Sequence, residues 1–335
     1  MANTFSFIDL FAGIGGFRKA LEGAGGNCVL SSEIDKYARQ TYTANFGSDE
    51  LFVNDIRNLD SKQIPDYDVL AAGFPCQPFS LAGVAKNNSM GRPDGFQHPT
   101  SGTLFFELKR IIEETQPPAI ILENVKNIVF HDHRNTFKVI KDVLENELRY
   151  HMTYLIMDGQ KWVPQHRERI IMVGFRDEIG YSSDYIRWPE KKPVLGDILH
   201  PEDGSEMPTP YTDAFGNVLP KYTLTDKVWG YLKYHAEKHK LAGNGFNYGL
   251  FDADGIGRTL SARYGKDGSE ILIRQPTGNP RRLTPRECAR IMGFDEDRNC
   301  GFAIPVSDTQ AYHQFGNSVV VPMIREVAKS TVKYI

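Results

Sequence analysis

The chain has 335 residues, 41% apolar, 11% aromatic and 24% charged, which excludes a disordered polymer and fits one large domain or a core domain with a smaller appendage. No uncharged apolar run approaches the roughly 20 residues of a bilayer span, and the N-terminal MANTFSFIDLF has neither a basic segment nor a small-residue cleavage site, so a cytoplasmic protein without membrane attachment is expected. A net charge of −3 excludes a uniformly basic coat, so any polyanion site has to be local.

In chain order, Phe5 to Phe11 reads as a buried strand, followed by a Gly-rich turn and a helix through Leu21. Cys28 to Ser32 reads as a second strand with a helix over Ile34 to Phe46 behind it. A third strand precedes Asn54-Asp55-Ile56. Asp68 to Ala72, Ala119 to Glu123 and Ile170 to Phe175 are further strands, with helices at Leu104 to Thr115 and Thr136 to Leu148 between them. This alternation predicts an α/β fold with a mostly parallel, doubly wound sheet. From Trp188 to Pro220 the chain is rich in proline and glycine. Beyond it come a helical pattern over Tyr222 to His239 and short strand-like pieces at Arg258 to Arg263 and Glu270 to Arg274. Gln310 to Lys333 reads as a turn and a terminal helix that packs back on the first domain. The expected division is a first domain of residues 1–187 with 306–335 and a smaller, irregular second domain of residues 188–305. Between Arg258 and Arg290 eight cations stand against three acids, the local basic stretch that a polyanion would need. The four cysteines, Cys28, Cys76, Cys288 and Cys300, show no metal or dithiol spacing, so neither disulfides nor a metal site is expected.

Three strand ends carry chemistry. Asp9 to Phe17 holds glycines where a helix begins, so a ligand can approach the backbone. Glu33 ends the next strand, where an acid can take ribose hydroxyls. A tight turn without a ligand is the alternative. Arg18 stands where the dinucleotide fingerprint has Gly or Ala, which disfavours a nicotinamide cofactor. Gly73-Phe74-Pro75-Cys76-Gln77-Pro78 places a thiol between two prolines after a strand, positioned to attack; a buried, inert cysteine is the competing reading. Glu123 ends the strand Ala119 to Leu122, where burial would suit it to general acid work, or it caps a helix beside Asn124. The alternation of Gln165, Arg167 and Arg169 puts three polar side chains on one face, either for an anionic or carbonyl-rich ligand or as a solvated edge.

The ordered set FAGIGGF, SEIDKYA, GFPCQPFS, GTLFFELKRI, LENVKN, QHRERI, RRLTPRECARIMGF and QFGNSVVVP resembles the DNA cytosine-5 methyltransferases, motif by motif and in order, from Asp9 to about Pro322. The resemblance implies the S-adenosylmethionine-dependent, Rossmann-like methyltransferase fold with a target-recognition domain at 188–305. It implies methyl transfer to carbon 5 of a flipped-out cytosine in double-stranded DNA. Cys76 would be the nucleophile, Glu123 would contact ring nitrogen 3 and the exocyclic amine, Arg169 would bind the cytosine carbonyl, and Arg167 would hold the loop or a phosphate. Phe11, Ala12, Gly13, Ile14 and Gly16 would line the path of S-adenosyl-L-methionine, with Glu33 on the ribose, Ile34 and Ile56 on the adenine faces and Asp55 on its amine. Pro75, Leu104, Asn317, Ser318 and Val319 would finish the pocket, although Leu104 and Val319 fit simple core packing equally. Gln77 and Ser80, within the stretch Gln77 to Val84, and Arg258, Arg263 and Tyr264 would fill the space left by the flipped base, and Arg282 adds a DNA contact. Leu81 to Ser101, with its glycines, would be a lid closing over DNA.

The stretch from Gly243 to Ile271 resembles the recognition region of the Dcm-like branch, which acts on the inner cytosine of CCWGG. A restriction endonuclease acting on the same site is a possible partner, and a monomer bound to nucleoid DNA is expected. An RNA cytosine-5 methyltransferase, a catalytically silent DNA binder and a nicotinamide oxidoreductase are the competing readings. The large recognition region speaks against the first, the intact Cys76, Glu123 and Arg169 against the second, and the Pro-Cys-Gln-Pro loop against the third.

Overall fold

The computed structural model describes residues 4–47, 51–75, 103–201, 203, 205–206, 209–243, 245, 247–295 and 301–335. Its centre is a seven-stranded sheet in the order β3-β2-β1-β4-β5-β7-β6, built from β1 (Phe5–Leu10), β2 (Gly26–Ser32), β3 (Leu51–Val53), β4 (Val69–Gly73), β5 (Ala119–Val125), β6 (His151–Asp158) and β7 (Glu168–Phe175). The first five strands run parallel, and β7 runs antiparallel to both β5 and β6.

Both faces of the sheet are covered, which is why its central strands read as nearly unbroken apolar runs. Phe7, Val69, Ala71, Ile121 and Val173 point to one side, against α1 (Gly16–Glu22) and a helix near the C-terminus (Val321–Thr331). Ile8, Leu70, Ala72, Ile120 and Leu122 point to the other, against Leu108, Ile111 and Ile112 of the helix Thr103–Thr115 and Ile140 of the helix Asn135–Asp142. A π-type turn over Val143–Glu147 ends the latter. The helix α2 (Lys36–Phe46) starts two residues later than the apolar pattern suggests, because the Asp35 side chain accepts from the amides of Tyr37 and Ala38 and so acts as its N-cap. We number the remaining helices α3 (Thr103–Thr115), α4 (Asn135–Asp142), α5 (Asp226–Leu241), α6 (Pro285–Ile291), α7 (Asp308–Asn317) and α8 (Val321–Thr331).

A small sheet joins β8 (Leu250–Phe251), β9 (Leu272–Ile273) and β10 (Arg281–Arg282); α5 lays Leu232 on it in a minor cluster with Leu224 and Leu272. The main core also takes in Leu260, Ile271, Leu283 and Ile291. At α6, Thr284 and Glu287 form a capping box, and buried Glu287 receives two bonds from Arg281, at 2.8 and 2.9 Å. Burial works against its charge, yet Arg281 holds the carboxyl down at about 2. The motif RRLTPRECAR is thus a structural joint.

Three expectations are corrected. Arg258 to Arg263 is not a strand: an isolated bridge of Gly257 with Gln165 precedes it, and it ends in a turn closed by Tyr264 on Ser261. The C-terminal stretch holds two helices, α7 and α8, separated at Ser318. The edge strand β6, with Ile156 half exposed, has no predicted counterpart.

Candidate active site

The strand order reverses between β1 and β4, and open sheets bind ligands at the carboxyl ends there. The turn after β1 is built for that use. Phe11 and Gly13 have φ of +58° and +57°, and at Gly13 no atom lies within 4 Å of where a Cβ would stand. Gly16 is needed for the opposite reason, since a Cβ there would meet Ser318 Oγ at 2.6 Å and Val319 at 2.9 Å. The turn before α8 therefore packs directly on the glycine turn, joining ends of the chain that are some 300 residues apart in sequence. Asn317 is exposed beside His313, whereas Val319 and Ile14 are buried in the core and contribute packing.

Glu33 ends β2, with Oε2 accepting from the Gly13 amide at 2.8 Å and Oε1 from the Asp35 amide at 2.7 Å. Burial pushes its carboxyl up, against those two amides. Ile34 next to it is 63% exposed, an apolar face left open beside the carboxylate. Arg39 reaches back from α2 to the carbonyls of Glu33 and Ile34. Asp55 caps the turn after β3 and pairs with Arg57 at 2.6 Å, which holds its carboxyl below the usual range. Ile56 is buried beneath it, and Leu104 packs at the edge of the second core cluster.

Sequence reasoning passed over Asp9. It is fully buried at the end of β1, its Oδ2 accepts from the Arg18 amide at 3.1 Å and its Oδ1 has no partner among the described residues. Burial pushes its carboxyl up to about 8, so it stands protonated beneath the turn at neutral pH. Arg18 fills the space between α1 and α2, donating to Tyr42 at 3.0 Å and Glu22 at 2.8 Å.

Cys76, Gln77, Ser80 and the expected lid Leu81 to Ser101 lie outside the described residues. Up to Pro75 the approach is fixed: Phe74 is buried and its carbonyl accepts from Asn124 at 2.9 Å. Gly73 pairs with Glu123 across β4 and β5, and a Cβ on Gly73 would sit 3.6 Å from Glu123 Oε2. Because β7 runs antiparallel, its first residues arrive at the same sheet end, with Arg169 opposite Val125 and diagonal to Glu123. Arg169 Nε meets Glu123 Oε1 at 2.9 Å, each side chain 11% exposed. Burial raises the Glu123 carboxyl, opposed by Arg169 and then Arg167.

The expected polar face of three residues is not what forms. Gln165 is buried, bridging the Leu260 amide and the Ile291 carbonyl. Arg167 is buried too, and donates to the carbonyls of Leu260, Gly316 and Ser318 at 2.8, 2.9 and 2.7 Å. It is a clasp between three backbone segments with no surface for a phosphate. Only Arg169 turns to the site. Tyr264 is corrected as well: it is fully buried, donating to the Ile271 carbonyl and accepting from the Leu283 amide, so its side chain is closed to DNA. Arg258 and Arg263 are exposed, and Arg282 is half-buried on the Gly265 carbonyl.

The family model of the C-5 cytosine-specific DNA methylases matches residues 5–333. The chain belongs to this family. It is 44% identical to the DNA-cytosine methyltransferase of Escherichia coli strain K12, over 97% of this chain and 77% of that protein. It is 47% identical to the Type II methyltransferase M.NlaX of Neisseria lactamica, over 97% and 95%. The S. pombe Dnmt2 methyltransferase shares the fold, with a TM-score of 0.73 at 18% identity over 99% of both chains. The protein is therefore a DNA cytosine-5 methyltransferase, and its methyl donor is S-adenosyl-L-methionine. The open cradle at Gly13, the exposed Ile34 and the carboxylate of Glu33 fit an adenosine bearing an apolar ring and two hydroxyls. No helix among the described residues is long and apolar enough to cross a membrane.

Proposed function

We propose that the chain methylates one cytosine of a specific duplex sequence through a covalent adduct to Cys76, with Glu123 and Arg169 holding the base. The buried Glu123–Arg169 pair at the root of the Pro75-Cys76 loop carries this reading. The cytosine leaves the helix, at a cost of a few kcal/mol, and enters beside the pair. The Cys76 thiolate adds to carbon 6, its electron pair forming the S–C bond. Glu123, whose carboxyl burial raises, shares a proton with ring nitrogen 3 so that the displaced ring electrons reach carbon 5. Arg169 donates to the carbonyl oxygen. When bound, S-adenosyl-L-methionine supplies an electrophilic methyl group for carbon 5. The carbon 5 proton then passes to solvent, its C–H electron pair re-forms the ring double bond, the S–C electrons return to Cys76, which leaves as thiolate, and nitrogen 3 gives its proton back to Glu123. Glu33, Ile34 and Asp55 orient the adenosine, Phe11 to Gly16 the rest of the donor, and Pro75, Asn317 and Ser318 close the pocket.

Residues 188–305 serve target recognition, with Arg258, Arg263 and Arg282 on the DNA side, while 1–187 and 306–335 serve catalysis. Similarity to the Escherichia coli and Neisseria lactamica enzymes supports the Dcm-like branch, and the resemblance of residues 243–271 to the recognition region of that branch supports the inner cytosine of CCWGG as target. The Type II names among the relatives support a partner endonuclease acting on that site. The enzyme works as a cytoplasmic monomer on chromosomal DNA. Bisulfite sequencing of a host that lacks its own cytosine methylation and expresses the chain tests the target. Protection of the inner cytosine of CCWGG is expected, and protection in another context, or none, overturns that assignment.

A further inference from the structure

We infer that the histidine pair of α5 is a binding site for a divalent transition-metal ion. His235 and His239 stand four residues apart, so the helix sets one above the other on a single face. Their Nε2 atoms are 3.3 Å apart and their ring centroids 4.4 Å. Two imidazole nitrogens, each about 2.0–2.1 Å from a tetrahedral Zn2+, are separated by about 3.4 Å. The nitrogens therefore already stand at the separation a chelated ion requires, and the ion takes the place of the hydrogen bond they share, the rings turning so that both lone pairs converge on it. Tyr231, one turn earlier, stacks on His235 with centroids at 5.4 Å and planes at 28°, which fixes the orientation of one ligand before the ion arrives.

Both histidines are half-buried while Lys233, Lys238 and Lys240 around them are exposed. Partial burial limits the rotamer freedom lost on chelation. The nearby ammonium groups weaken the attraction for a cation, so the site is tuned to moderate affinity. No group of three or more His, Cys, Asp or Glu side chains suited to a metal exists among the described residues. Two protein ligands fall short of the three of catalytic zinc sites and the four of structural ones, and water completes the shell. An open chelate of this kind exchanges its metal, prefers Cu2+ to Zn2+ in line with the general order of divalent affinities, and staples the C-terminal half of α5. It adds positive charge to a helix face already bearing lysines. The cysteine-based spacing rules used on the sequence pass over it, because its signal is an i, i+4 histidine pair.

The test is calorimetric titration of the full untagged chain with Zn2+ alone, in a non-chelating buffer at about pH 8, with thermal unfolding in parallel. One ion per chain with a dissociation constant in the micromolar range is expected, together with a rise in Tm. His235→Gln and His239→Gln should each weaken binding at least tenfold and abolish that rise, while His151→Gln, on the exposed edge of β6, should leave both unchanged. Folded single variants, verified by their metal-free Tm, that bind Zn2+ like the parent overturn the site. So does a parent chain that takes up no Zn2+.

Discussion

Replacing Arg169 by Met keeps most of the side-chain volume and removes the only charge among the described residues in direct contact with Glu123. At 2.9 Å the attraction between the two groups is about 5–6 kcal/mol at an effective dielectric of about 20. Glu123 then stays buried with no cation in contact among the described residues. Breaking such a pair from one side costs about 3–5 kcal/mol, and the size of the penalty depends on pH in a defined direction. Burial already raises the Glu123 carboxyl above its ordinary 4.5 in the folded chain, and loss of Arg169 raises it further. Below about pH 4.5 both folded and unfolded chains hold the proton, so little is lost. As pH rises the unfolded chain releases its proton while the folded chain retains it, so folded stability falls until the folded carboxyl itself ionises. Urea unfolding at about pH 5 and about pH 8 measures this. Arg169→Met should cost under about 1 kcal/mol at the lower pH and about 3–5 kcal/mol at the higher. Glu123→Gln on the Arg169→Met background should recover most of that loss. An equal penalty at both pH values, or a double variant no more stable than the single one, would refute the charge argument and leave a packing defect in its place.

Glu33→Ala should weaken S-adenosyl-L-methionine binding by about 1–3 kcal/mol, seen as a raised cofactor KM with kcat little changed; calorimetry on the folded variant returning parental affinity would remove Glu33 from the site. Asp9→Asn tests the buried acid. With a folded value of about 8 against an ordinary 3.8, the parent should lose stability relative to the variant as pH rises from about 4 through 8, and a Tm difference that does not change with pH contradicts a protonated Asp9. Cys76→Ser should abolish methylation and keep sequence-specific DNA binding, because the hydroxyl stays protonated; gel-shift and methyl-transfer assays check the two halves, and turnover within about tenfold of the parent opposes the assignment.

The parallel half of the sheet was legible because burial on both faces leaves β1, β4 and β5 as short, bounded apolar runs. The edge strand β6 was not, since one side of it is half exposed and the period-2 signal is lost in HMTYLIMD. Glu33 and Glu123 were legible by position, as acids at the ends of apolar strands. The work of Arg167 and Gln165 was not: their partners are backbone carbonyls and amides more than 90 residues away, and no local pattern encodes such bonds. Tyr264 was expected to fill the space left by the flipped base, yet its neighbours Leu283 and Tyr312 come from other segments that close over it. Asp9 was hidden inside a motif whose glycines drew the attention, although an acid in an otherwise apolar strand is itself a signal of a buried, hydrogen-bonded carboxyl.

The central claim, covalent catalysis from Cys76, is tested most directly with a duplex carrying 5-fluorocytosine at the target position. Fluorine cannot leave carbon 5 as a cation, so the final elimination stalls after methyl transfer and the thioether persists. Incubated with S-adenosyl-L-methionine, the parent chain should form a denaturation-resistant complex with this DNA, and mass spectrometry should map the link to Cys76. No such complex should form without the methyl donor or with Cys76→Ala. An adduct that survives Cys76→Ala, or none from an active parent enzyme, would contradict the mechanism.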